Sequence, residues 1–157
     1  MAILALAFLI GVLNGLRSFT APAVVAWAAH LRWIKLRGAL ALIGSVPVVA
    51  IFTLLAAFEL FADKRPWIPN RTSAMSLLFR CVMGALTGAC VAAAGGESAG
   101  VGAVCGVAGG IAGAFAGFHA RARFVRALGT SDIYVASVED FICVASAVWA
   151  FSRIQYS

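Results

Sequence analysis

Charge is scarce in this sequence: 11% of its 157 residues are Asp, Glu, Lys or Arg, where globular domains carry about 25%. With 63% of the residues hydrophobic, a water-soluble domain of this size is excluded, because it could not hide so much apolar surface. Metal and redox motifs are missing too. Cys81, Cys90, Cys105 and Cys143 all fall inside apolar stretches, and none forms a CxxC pair or a ligand spacing with His30 or His119. They read as small packing residues, so neither a disulfide, a zinc site nor any other cofactor is expected. No Walker motif, nucleophile–base set or DxxxD metal motif occurs, and Gly100-Val101-Gly102 lacks the third glycine of a dinucleotide fingerprint. No basic leader precedes the first apolar run, which continues into more apolar sequence, so a cleaved signal peptide is not expected.

What remains is apolar sequence in long blocks. A spanning helix needs about 20 mostly apolar residues. Five stretches qualify: 2–29, 39–62, 74–95, 99–118 and 132–152. The expected fold is an all-α integral membrane protein, one polytopic domain over 1–157. The first segment is longer than a straight span requires and is interrupted at Asn14-Gly15-Leu16-Arg17-Ser18, so it is expected to be broken or re-entrant. Gly44 and Pro47 predict a kink in the second, and Thr130-Ser131-Asp132 reads as the N-cap run of the fifth.

The net charge of +6 would suggest nucleic acid in a soluble protein. Here the basic residues sit in clusters between apolar stretches, as loop charges do, and no nucleic-acid partner is expected. With the first segment counted as one span, the loops 63–73 (Lys64, Arg65, Arg71) and 119–131 (Arg121, Arg123, Arg126) share a face. Arg32, Lys35, Arg37 and Arg153 lie on the other face. The more basic face, and the N-terminus with it, is expected in the cytoplasm. The stretch 63–72 is polar and stiffened by Pro66 and Pro69. It reads equally as a rigid headgroup- or anion-binding surface and as a topogenic loop.

Glycines recur every four residues along the fourth segment, at Gly102, Gly106 and Gly110 and at Gly109, Gly113 and Gly117. This glycine zipper predicts a helix wedged between two others, with Gly84 and Gly88 as a matching surface, and suggests assembly into a homo-oligomer.

Charges inside spanning segments cost roughly 2.5–3.5 kcal/mol each, so each needs a reason. Arg17, Glu59, Arg80, Glu139 and Asp140 lie inside segments, and Asp63 lies at a helix end. Measured along their helices they fall at similar depth from one face, and a Glu59–Arg80 pair is reasonable. The expected site therefore gathers Arg17, Ser18 and Thr20 at the break with Glu59, Asp63, Arg80, Glu139 and Asp140. Its excess of carboxylate suits a cation, a proton relay or a cationic substrate, while its arginines suit phosphate or carboxylate. The same charges could be fixed ion pairs that only set helix register.

The motifs GLRSFTAPAVVAWAAHL (15–31), ELFADKRPWIPNRT (59–72), the glycine repeat around 102–117 and the pair Glu139-Asp140 occur in order along most of the chain. Together they resemble a bacterial family of small multi-span membrane proteins of the domain of unknown function 4126 type. Lys35 and Arg37 depart from it, in a loop expected to carry less charge. The resemblance implies an inner-membrane protein and no established activity.

Three functions fit these residues. The first is a small transporter or channel for an ion or solute, with Ser18 or Thr20 capping a half-helix that starts near Pro22. The second is a membrane enzyme acting on a phosphorylated lipid headgroup, and the third a structural subunit of a membrane complex. The partners expected are membrane lipids and a small solute or ion.

Overall fold

A computed structural model describes residues 2–62 and 74–128, and every element in it is helical. Helix α1 spans Ala2–Leu16, α2 Thr20–His30, α3 Val46–Ala62, α4 Ala74–Ala94 and α5 Ala99–Leu128, with a 3-10 segment at Gly38–Gly44.

Among the described residues, which leave out the expected fifth span, fewer helices are long and apolar enough to cross a membrane than expected. Among the described residues, Met75–Ala94 and Ala99–His119 are long and apolar enough, and a third span results if Gly38–Gly44 and Val46–Glu59 count as one. The shortfall has local causes. The first segment is divided at residues 17–19 into helices of 15 and 11 residues, each below span length. The second bends by 60° where the 3-10 segment meets α3. Pro47 stands in the first turn of α3, where its missing N–H costs nothing, and Ser45 before it is extended. The expected loop at 119–131 is mostly helix as well: α5 runs on to Leu128, carrying Arg121, Arg123 and Arg126. The expected fifth span, with its Thr130-Ser131-Asp132 start, lies outside the described residues.

Helix ends are closed in recognisable ways. Gly96 (φ +77°) follows α4, and the Glu97 amide reaches back to the Ala92 carbonyl at 2.8 Å. After α2 the left-handed position falls on Arg32 (φ +61°), a residue with a Cβ penalty there. The Trp33 amide bonds the Ala28 carbonyl at 2.9 Å, and Ile34 is buried, which ties this turn onto the helix.

Helix α5 packs against both α1 and α4, which also touch each other, while α2 packs against α3 and the 3-10 segment. Glycine makes the first arrangement possible. A methyl group on Gly106 would meet the Gly84 carbonyl, and one on Gly102 the Gly88 carbonyl. On the neighbouring face, Gly109 lies against the Phe8 carbonyl and Gly113 against that of Val12. Backbones this close gain dispersion contacts that lipid cannot supply. Large apolar side chains point outward instead: Leu54, Phe58 and Phe61 on α3, Met75 and Leu78 on α4, and Val104 on α5. A bilayer solvates such faces.

Candidate functional site

The break between α1 and α2 is where polar side chains concentrate. In a continuous helix the Phe19 amide would bond the Gly15 carbonyl, four residues back. The last such bond of α1 is Arg17 N–H to the Leu13 carbonyl, at 2.9 Å. The next two amides turn away. Ser18 N–H donates to Glu59 Oε1 at 2.7 Å, and Phe19 N–H donates to Glu59 Oε2 at 2.9 Å. The freed Gly15 carbonyl accepts a hydrogen bond from Arg80 Nη1. Arg80 Nε is 3.2 Å from Ser76 Oγ, one turn earlier on α4, which orients the guanidinium.

Each charge suits the helix end it holds. The N-terminus of α2 carries partial positive charge and receives a carboxylate, while the C-terminus of α1 carries partial negative charge and receives a guanidinium. Ladder regularity resumes at once, with Ala23 N–H bonding the Phe19 carbonyl at 3.0 Å. Pro22, in the first turn of α2, has no N–H to leave unpaired.

Of the residues expected at the site, Arg17, Ser18, Thr20 and Arg80 are buried, Arg17 to 1% exposure, and Glu59 is half-buried. Arg17, Ser18 and Thr20 form the break and its exit. Glu59 and Arg80 reach it from α3 and α4, but they do not pair with each other: each has been drawn to a helix end by the hydrogen-bonding groups there. Asp63, Lys64, Arg65, Arg71, Glu139 and Asp140 lie outside the described residues. Among the described residues no three His, Cys, Asp or Glu come together.

Two participants were not singled out from the sequence. Asn14, fully buried one turn before the break, donates from Nδ2 to the Ile10 carbonyl at 2.9 Å and to Thr87 Oγ1 at 2.7 Å. Thr87 in turn donates to the Met83 carbonyl at 2.9 Å. A lone threonine beside Gly84 and Gly88 was the available signal, since polar groups at small-residue interfaces join helices in lipid. Among the described residues, Asn14 Oδ1 and Thr20 Oγ1 are buried acceptors with no hydrogen-bond partner. Buried polar atoms are nearly always paired, so both mark places that a water or solute could complete.

Apolar helices too exposed for water, joined to a helix broken in its interior and held open by two charges, define a helical membrane protein with a discontinuous helix. The family described as Domain of unknown function (DUF4126) matches residues 4–153, and the chain belongs to it. No curated protein and no solved structure matches the chain.

Proposed function

We propose that this protein is a small transporter or channel for an ion or small solute, using the polar break between α1 and α2 as its site. The carrying observation is at Gly15 and Phe19, whose mutual helical hydrogen bond is replaced by two charged caps from other helices. Transporters build their sites from discontinuous helices of this kind, because half-helix ends present unspent backbone groups at membrane depth. A packing defect alone would not call for a carboxylate at one end and a guanidinium at the other.

The exchange also supplies a mechanism. The two backbone groups have alternative partners, each other or Glu59 and Arg80, so the break is an element with two arrangements. As the carboxylate that holds both amides, Glu59 is the candidate proton- or cation-coupling group. Among the described residues Thr20 Oγ1 and Asn14 Oδ1 are open acceptors for a cation or a hydrated solute, and Arg17, buried at the break, is the candidate for an anionic group. Asp63, Glu139 and Asp140 belong to the proposed site as further coupling carboxylates.

We place the protein in the bacterial inner membrane, as a multi-pass chain with its N-terminus in the cytoplasm. The basic residues Lys64, Arg65, Arg71, Arg121, Arg123 and Arg126 support that orientation. Because Gly102, Gly106, Gly109 and Gly113 of α5 are occupied within the chain, a homo-oligomer would form through other faces. The test is flux: purified protein in liposomes is assayed against protons, monovalent cations and small carboxylate and phosphate solutes. Protein-dependent movement that Arg17→Gln abolishes supports the reading, and no movement across the panel ends it.

A further inference from the structure

On the outer side of the α2–α3 pair runs an open groove of about 380 Å³, walled by Trp27, His30, Val49, Ala50, Thr53 and Leu54. That volume falls within the range of about 300–1,000 Å³ typical of small-molecule sites. Its polar atoms are largely spent inside the protein. Trp27 Nε1 donates to Thr53 Oγ1 at 3.0 Å, Thr53 Oγ1 donates to the Val49 carbonyl at 2.7 Å, and His30 Nδ1 donates to the Gly44 carbonyl at 3.0 Å. A polar solute would find little to bond there, whereas hydrocarbon would meet apolar walls and the Trp27 ring.

The end of the groove differs. Two residues after His30 the chain enters the turn tied to α2 by the Trp33 amide and the buried Ile34, and Arg32, Lys35 and Arg37 all stand exposed on it. No acid lies in this turn or in the groove. Of the described acids, Glu59 is bonded to Ser18 and Phe19 at the opposite end of α2, and Glu97 lies between α4 and α5. Among the described residues nothing neutralises this positive charge, which stands next to an apolar slot on a surface that the membrane reading places in lipid.

We infer that the α2–α3 groove binds one anionic phospholipid, with an acyl chain along Trp27, Val49, Ala50 and Leu54 and its phosphate at Arg32, Lys35 and Arg37. Charge complementarity selects an anionic over a zwitterionic lipid, since basic residues at a membrane surface attract anionic headgroups. Joining groove and basic turn makes the site specific where the remaining lipid-facing surface is not.

The test uses full-length protein in phosphatidylcholine vesicles doped with a small mole fraction of acyl-brominated lipid, which quenches nearby tryptophan. The Trp27 contribution is isolated by subtracting the Trp27→Phe protein. Brominated phosphatidylglycerol is expected to quench Trp27 at a mole fraction lower by on the order of tenfold than brominated phosphatidylcholine. Arg32→Gln/Lys35→Gln/Arg37→Gln should bring the two lipids to parity while leaving phosphatidylcholine quenching in place. Ala50→Phe, which fills the slot from its exposed side, should abolish the preference, with circular dichroism confirming that both variants fold. Equal quenching by the two lipids in the unaltered protein overturns the inference, as does a preference that survives the triple substitution. Because the readout is binding, a failure of the flux experiment leaves this result standing, and the reverse holds too.

Discussion

The Gly15 carbonyl and the Phe19 amide, which an unbroken α-helix would join to each other, are each bound by a charged side chain from a different helix. Glu59 of α3 takes the amide and Arg80 of α4 takes the carbonyl. The break in the first segment is thus held open by tertiary structure. α3 and α4 fix it from outside, and the strength of each hold can be measured separately.

Glu59→Gln replaces one carboxylate oxygen by an NH2 group that cannot accept a hydrogen bond. One of the two amides at residues 18 and 19 then loses its partner, and the remaining bond loses its charge. The expected loss of stability is about 1–3 kcal/mol, read from unfolding in detergent. Amide hydrogen exchange at Ser18 and Phe19 should accelerate selectively. Unchanged exchange at both positions would show that Glu59 does not cap α2.

The two charges should also be coupled. Removing either alone strands one half of the Gly15–Phe19 pair, but removing both frees the two groups to rejoin as an ordinary helical bond. The double variant Glu59→Gln/Arg80→Gln should therefore be more stable than the sum of the single effects predicts, by an amount within the range of about 0.5–3 kcal/mol seen for residues sharing a network. Strict additivity in a double-mutant cycle would mean that the break is set by something else.

How much of this was legible in the sequence depends on how local the cause is. The interruption at 14–18 could be read because Asn, Gly, Arg and Ser there break an apolar run over adjacent positions. α4 was placed almost to the residue, since its boundaries are changes of composition. The partners of Glu59 and Arg80 could not be read the same way. Charge complementarity pointed them at each other, whereas the groups they bind are a backbone amide pair and a carbonyl, exposed only because the helix is broken. The overrun of α5 past His119 was hidden for a related reason: arginine favours helix as readily as it favours a loop, so the basic cluster marked a charge boundary and not a structural one. The break in the first segment and the bend in the second were both expected; what was missed is that the resulting pieces are too short to count as whole spans, because hydropathy sums apolar residues along the chain.

The buried pair Asn14–Thr87 joins α1 to α4 through side chains alone. Thr87→Val keeps the shape and removes the hydroxyl, which leaves Asn14 Nδ2 with the Ile10 carbonyl as its one remaining partner. Interhelical hydrogen bonds in membrane proteins average about 0.6 kcal/mol and reach about 1.7 kcal/mol. Unfolding of Thr87→Val should fall in that range, and a Thr87→Ser protein should lose less. If Thr87→Val is as stable as the parent protein, the pair contributes nothing to joining the helices.

Two glycines on one helix should respond in opposite ways to the same substitution. At Gly106 an added methyl group would run into the Gly84 carbonyl, which is backbone and can move only if α4 and α5 separate. Gly106→Ala should therefore destabilise the protein by about 1–3 kcal/mol, the usual cost of forcing an extra carbon into a packed interface. At Gly100, in the first turn of α5, the nearest atom to a new methyl group is Ser98 Oγ at 3.8 Å, an ordinary contact distance. Gly100→Ala meets no obstacle and gains helix propensity, up to about 1 kcal/mol in a helix interior and less near an end. Thermal unfolding of the two proteins side by side separates packing from propensity, because the chemical change is identical and only the neighbour differs. If Gly106→Ala and Gly100→Ala shift stability in the same direction, the close approach of α5 to α4 at Gly84 is wrong, and with it the reason for the glycine spacing on that face.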